Sequence, residues 1–501
     1  MRNVLAFGIV VVFAACGGGD HGTSQCQTVV PAPPACMTTC DPQPGAPNTC
    51  PTGYHCTPDG LCDAVCTAAG GECGTGYHCT SDGQCVGDGA CTGLQCQQVD
   101  CAAQGKPTTT ISGTVFAPNG TLPLYGADVY VPNAAVPPFT AGAQCSRCST
   151  DLPGSPIVQT SSDEAGKFSL QNVPSGDNIP VVIAIGKWRR QVVIPHINEC
   201  ADNPITSANT SLPKKSSEGD IPQIAITTGN ADSLECLIRK LGVDDSEIST
   251  SAGAGKVHLY AGNGVNKFKA GFPGGSGQTF TSATPFWSSV ATLTPYDIVI
   301  LSCEGAQNPN TKPQAAMDAM KAYADLGGRV FASHWHNIWI GGAFQAGGNG
   351  QKPAVWTSIA TWANGNDPGP VDLIDEVGNP KGASFATWML NVMGSTVRDQ
   401  IQLQSGTDRS TCTMINNTKA ERWTYAQSNM HPQNFQFTTP NEAAVDMRCG
   451  KVVFSDMHVS GGPGGGDYPD SCGTGLTLTP QEKALAFMFF DIASCVNPGL
   501  Q

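Results

Sequence analysis

The chain has 501 residues, a net charge of −14 and an isoelectric point near 5.0, so it is too long for one compact core and carries no global attraction for polyanions. It is 40% apolar and only 13% charged, with 59 Gly and 37 Pro, which suits a loop-rich β or mixed globular protein and excludes a coiled coil or a highly charged disordered chain. No basic run exceeds "KWRR" (187–190), which argues against nucleic acid as a partner.

The first segment, "MRNVLAFGIVVVFAACGGGD", has Arg2 ahead of an apolar stretch over 4–15. That stretch is too short to span a bilayer as a helix and has the form of an export signal. "FAAC" resembles the lipobox of bacterial lipoproteins, with Phe13 in place of the usual Leu, and the resemblance implies lipidation of Cys16. An ordinary cleavable signal is the other reading. Residues 1–16 are thus read as a lipoprotein signal and 17–25 as a flexible tether. The acyl chain would attach the protein to a membrane, expected to be the outer membrane or cell surface of a Gram-negative bacterium.

Residues 26–105 form a cysteine-rich region in which "CPTGYHCTPDGLC" (50–62) and "CGTGYHCTSDGQC" (73–85) repeat the spacing C-x5-C-x5-C. Such small units bury too little surface to fold unaided. In an exported chain disulfides are the expected staple, with zinc as the rival reading. Thirteen cysteines lie in 26–101, an odd number, so one of them, Cys101 for example, is expected to reach into the next domain.

From 106 to 197 short β-branched runs alternate with Gly, Pro, Asn and Asp turns, as in "TTISGTVFAPNGTLPLYGADVYVPN" (109–133) and "GKFSLQNVPSGDNIPVVIAIGKWRRQVVIP" (166–195). These patterns predict an antiparallel β-sandwich. They resemble the carboxypeptidase regulatory-like fold, which implies a structural or adhesive module without catalysis. Cys145 and Cys148 in "CSRC" are read as disulfide partners, with Cys200 a possible participant. Residues 198–220 read as a polar linker.

Beyond it, 221–501 changes to an α/β pattern with a mainly parallel sheet. Strands are predicted over 222–228, 256–262, 295–305, 329–336 and 449–460, and helices over 232–241, 312–328, 382–394 and 478–496. Thr479, Pro480 and Glu482 predict a capping box with Pro in the first turn of the last helix.

Ligands of open parallel sheets bind beyond the C-terminal strand ends. Cys303, the pair His334/His336, and Asp456 with His458 all fall at such ends. On an extended strand His334 and His336 would point the same way, so His334, His336, Asp456 and His458 are candidate ligands for a divalent metal such as zinc. The competing reading has both histidines and the tryptophans flooring a cleft or capping the sheet. Trp335 and Trp339 are candidate carbohydrate-stacking residues, against the general burial of tryptophan. Cys303 is a candidate nucleophile, with a disulfide to Cys236 as the alternative.

"YDIVIL…AYADLGGRVFASHWH" and "VVFSDMHVS" resemble the core of class I glutamine amidotransferase-like proteins and their trehalose-utilisation relatives, a flavodoxin-type α/β fold. The resemblance makes His458 the match to the catalytic histidine. The nucleophile elbow, G-x-C-x-G, has no cysteine after "FASHWH", and Leu301 stands where an elbow at Cys303 would place its first glycine. In the order of its parts the whole chain resembles surface lipoproteins of myxobacteria. The implied function is a non-catalytic binding, adhesion or display module, meeting carbohydrate or a surface protein. The alternative is a metal-dependent hydrolase of a surface polymer acting through the histidines.

Overall fold

The computed structural model describes residues 26, 34–40, 50, 54–56, 61–64, 77–79, 85–87, 91, 93–148, 152–344, 352–353, 356–363, 368–404, 407, 409–459, 465–473 and 475–496. The chain divides into two compact units, Met1–Thr92 and Gly93–Gln501. Disulfides are plentiful and sheet dominates over helix.

In the first unit the two sequence repeats make equivalent hairpins. Cys56 pairs with Cys62 in one, and Cys79 with Cys85 in the other. Disulfides Cys26–Cys36, Cys40–Cys56 and Cys50–Cys62 staple this unit. Cys16 and the signal segment lie outside the described residues.

The second unit opens with strands β1 (Thr110–Thr114), β2 (Asp128–Pro132), β3 (Pro156–Ser161), β4 (Lys167–Gln171), β5 (Gly176–Ile185), β6 (Trp188–Ile197) and β7 (Asp202–Pro204). They form two sheets, β6-β5-β2-β3 and β7-β1-β4. Alternation along β4 (Phe168 and Leu170 buried, Lys167, Ser169 and Gln171 exposed) shows one face turned to a core. The segment 198–220, expected as a linker, is woven into this part. β7 pairs with β1 in parallel, Leu212 is fully buried, and Asp220 accepts from the Arg189 side chain at 2.8 Å. Cys101 bridges to Cys200, as its odd count suggested.

Next come β8 (Ile224–Thr227), α1 (Leu234–Lys240), β9 (Ile248–Thr250), β10 (Val257–Ala261), β11 (Thr281–Ser282), β12 (Ile298–Leu301), α2 (Gln314–Asp325), β13 (Arg329–Ser333), β14 (Val371–Ile374), α3 (Gly382–Asn391), β15 (Gln400–Gln402), β16 (Glu421–Ala426), β17 (Pro432–Thr439), β18 (Gly450–Ser455) and α4 (Pro480–Ala493). One large mixed sheet runs β9-β10-β8-β12-β13-β18-β17-β16-β14-β15, with β11 beside β10. It is parallel from β9 to β18. It is antiparallel from β18 to β15, a half that the strand–helix–strand pattern did not anticipate.

The parallel strands are apolar on both faces because both are covered. Ile224, Ile226, Ile298, Ile300, Phe331 and Val453 enter one core with α1, α3, α4 and the sandwich. Their sequence neighbours Ala225, Val299, Leu301, Val330, Ala332, Val452 and Phe454 enter a second core with α2. Helix α4 lies within the first core and touches both partners. Its capping box, Thr479 with Glu482, forms as predicted. Phe490 packs on Trp188 of the sandwich at 6.2 Å, and Phe487 on Tyr125 at 6.0 Å.

"KWRR" (187–190) lies along a seam between the sandwich and the large sheet. Lys187 pairs with Asp297 at 2.5 Å, Trp188 is buried, and Arg189 covers Phe139. Cys145 and Cys148 bond to Cys449 and Cys495, not to one another, because their loop runs along the sheet: the Cys148 N–H donates to Val496 O. The Cys303–Cys236 bridge does not form. Cys236, on α1, bonds to Cys472, whose segment lies over that helix, with the Tyr468 hydroxyl donating to Glu235 O.

Asp491, near the end of α4, accepts from Lys381 at 2.6 Å and Lys451 at 3.0 Å. Burial would raise its carboxyl, but the two ammonium groups hold it well below the usual carboxylate range. Asp491→Asn leaves Lys451, which has no exposed side-chain surface, without a counter-charge. The expected loss is about 3–5 kcal/mol, read as a lower midpoint in guanidinium unfolding.

Candidate functional site

Four parallel strands end level at one edge of the sheet. Thr227 is opposite Leu301, Leu301 opposite Ala332, and Ser333 opposite Ser455. The residues just past these ends therefore converge. The "IVIL" run of β12 leads into Ser302-Cys303-Glu304-Gly305, where Gly305 at φ +83° turns the chain and directs its N–H to the Cys303 sulfur, 3.4 Å away. The loop after β8 presses on the same point: a Cβ on Gly229 would lie 2.2 Å from Cys303 O.

β13 stops at Ser333. His334 takes the left-handed conformation, φ +44°, and His334–Asn337 form a single 3-10 turn. For a non-glycine residue that backbone costs on the order of 1 kcal/mol or more. It also overturns the expectation of two parallel imidazoles. The turn sends the rings to different neighbours. His334 Nδ1 lies 3.3 Å from Cys303 Sγ. His336 donates from Nε2 to Ser302 O at 2.9 Å and accepts the Trp339 indole N–H at Nδ1, also 2.9 Å. Burial pushes His336 down to about 3, with nearby Lys312 adding to the effect. Both of its ring nitrogens are used, so it works as a neutral structural crosslink and not as a metal ligand.

β18 does lie beside β13, and it delivers His458 to the cluster. The His334 and His458 rings are 5.1 Å apart. One donor atom each from Cys303, His334 and His458 lie within 4.8 Å of one another. Asp456, the other expected ligand, is occupied. Its carboxylate accepts from Thr411 N and Oγ1, each at 2.7 Å, and from Cys412 N at 3.0 Å. Burial raises it to about 6 against those donors.

Asp232, two residues ahead of α1, organises this edge. It accepts Ser333 Oγ–H at 2.6 Å and the backbone N–H groups of Val459 and Ser233 at 2.9 Å. One carboxylate thus ties the end of β13 to the end of β18. A buried Asp directly before a helix start was the available signal, but its partners are remote in sequence.

The cluster is enclosed, with Cys303, His334 and His458 at 0%, 4% and 2% exposure. Burial pushes the Cys303 thiol up to about 12, against the Trp335 and Gly305 N–H groups that point at its sulfur. Burial also pushes His334 well below its ordinary range, helped by His458 and Arg409, and it lowers His458 against the pull of Asp232. A neutral thiol and two neutral imidazoles result, a poor arrangement for thiolate attack but a usable donor set for a metal ion. Of the two expected stacking residues, Trp339 is 1% exposed and bonded to His336. Trp335 is half-buried and its ring lies 4.6 Å from that of His334. Beside the cluster Glu304 forms a buried ion pair with Lys312.

The chain matches no protein-family model, and no curated protein matches it. Among solved structures it is similar to a type II cohesin–X-dockerin complex from Acetivibrio cellulolyticus at 15% identity, over 29% of this chain and 76% of that one, with a TM-score of 0.15. It is also similar to the major pilin subunit of Bacillus cereus at 16% identity, over 21% of this chain and 30% of that one, with a TM-score of 0.14. Among the described residues no helix is long and apolar enough to cross a membrane.

Glu235, buried on α1, accepts from Ser302 Oγ–H at 3.3 Å, and burial pushes its carboxyl up to about 8. A carboxyl raised on folding contributes stability that is full below its unfolded value of about 4.5 and is lost as pH rises through about 8. Glu235→Gln is therefore expected to raise the unfolding midpoint at pH 8–9 and leave it nearly unchanged at pH 4. An equal shift at both pH values would contradict this.

Proposed function

We propose that this chain is an exported, lipid-anchored surface protein whose large sheet is a degenerate amidotransferase-like domain serving binding or display. The strand order β10-β8-β12-β13-β18 supports the flavodoxin-type comparison, since chain order 2-1-3-4-5 is the arrangement of that fold. Bonds that staple each compact unit, such as Cys50–Cys62 and Cys236–Cys472, support an oxidising compartment and hence export. The observation that carries the non-catalytic reading is the state of Cys303. The cysteine follows β12, whereas the resemblance expects it after β13. It is shut away with its thiol protonated, and His334 occupies the strand end where the enzymes keep their nucleophile. A hydrolase working through His334, His336 and His458 would lack His336, whose nitrogens are both engaged.

Two measurements test this. Metabolic labelling with palmitate is expected to mark the wild-type chain and to fail in Cys16→Ser, with the wild-type protein removed by protease shaving of whole cells. A glutamine-derived diazoketone, which alkylates amidotransferase cysteines, is expected to leave Cys303 unmodified by peptide mass. Stoichiometric addition at Cys303 would establish a working nucleophile and end the display reading.

A further inference from the structure

Cys303, His334 and His458 come from three different strand ends, yet their donor atoms meet inside 4.8 Å. An ion bonded to a thiolate at about 2.3 Å and to an imidazole at about 2.0–2.1 Å holds sulfur and nitrogen roughly 3.5–3.8 Å apart. Cys303 Sγ and His334 Nδ1 stand at 3.3 Å. The third donor atom, on His458, lies within 4.8 Å of both.

A second observation is independent of that spacing. His458 is 2% exposed, and its Nε2 has no hydrogen-bond partner among the described residues. A buried imidazole nitrogen without a partner forfeits the hydrogen bond it would make in water, and a metal ion would remove that cost. The rest of His458 is fastened. Its backbone N–H donates to Thr407 O and its carbonyl accepts from Gln481 Nε2, which fixes the main chain that carries the ring.

The surroundings suit a metal thiolate. The Trp335 and Gly305 N–H groups both address the sulfur, the outer-shell arrangement that stabilises a bound thiolate and tunes its metal. Asp232 locks the strand ends carrying His334 and His458. His336, next but one to a ligand, is tied to Ser302 O and braces the turn that aims His334.

We propose that Cys303, His334 and His458 form a buried three-ligand site for a thiophilic transition-metal ion, copper or zinc. One thiolate with two imidazoles selects these ions over magnesium or calcium, and the soft thiolate favours Cu(I) over Zn(II). The site differs from the His334/His336/Asp456/His458 set expected from sequence, and it stands whether or not the display reading does.

The test uses the full oxidised chain, stripped with a chelator and titrated separately with Zn(II), Cu(I), Co(II) and Mg(II). One ion per chain is expected for the first three and none for Mg(II), with a chelator-competition order of copper above zinc. Co(II) should give a thiolate-to-metal charge-transfer band that disappears in Cys303→Ser and in His458→Gln, and persists in Asp456→Asn. A measurement on the wild-type chain guards against misfolded variants. Zinc should raise the thermal unfolding midpoint of the wild-type chain, and Mg(II) should leave it unchanged. No stoichiometric binding, a cobalt band indifferent to Cys303→Ser, or a wild-type unfolding midpoint unmoved by zinc would each overturn the site.

Discussion

The C-terminal end of helix α4 is the anchor on which the second unit depends. Its carbonyl end and Asp491 receive two cations from the starts of neighbouring strands. Lys451, the second residue of β18, donates to Asp491 O at 2.9 Å, and Arg329, the first residue of β13, donates to Ser494 O at 3.2 Å. Cations at a helix C-terminus are favoured by the partial negative charge there, and here burial removes the screening that weakens such contacts at a surface. The same helix packs Phe487 and Phe490 against the sandwich. One buried element therefore fixes the beginnings of β13 and β18 and joins two layers of the fold.

What is fixed at the beginning of a strand is inherited at its end. β13 and β18 pair in parallel register from Arg329–Lys451 to Ser333–Ser455, so their last residues finish side by side. Asp232 then bonds across both ends. Between these two clamps His334 and His458 have little freedom, and the loop after β12 supplies Cys303. The cluster follows from register and clamping. The left-handed backbone at His334 is tolerated because its surroundings determine it on every side.

Much of this frame was legible from residues alone. The runs at 222–228 and 295–305, the helix before Gly327-Gly328 and the capping box at Thr479 all appeared close to where they were expected, because period, caps and breakers are local signals. The position of the candidate site, beyond parallel strand ends, followed from the same signals. Its membership was less legible. His-x-His pointed to a paired ligand set, but a single 3-10 turn after Ser333 gave one imidazole to Cys303 and the other to Ser302 O. Asp456 looked like a ligand until its carboxylate met Thr411 and Cys412, residues at the start of a short strand that no sequence pattern announced.

The cysteine repeats, the β texture of 106–197, the α/β texture that follows and the acidic, loop-rich character of the whole could all be read from the residues, since each rests on composition or on spacing within a short window. Packing of distant segments decided which cysteines join, that Cys303 and Cys412 stay free, that "KWRR" is a seam, and that Cys303 replaces His336 beside His334 and His458. Those outcomes depend on residues tens to hundreds of positions apart. Strand register and helix packing bring them together, and no local window of the sequence contains that distance information.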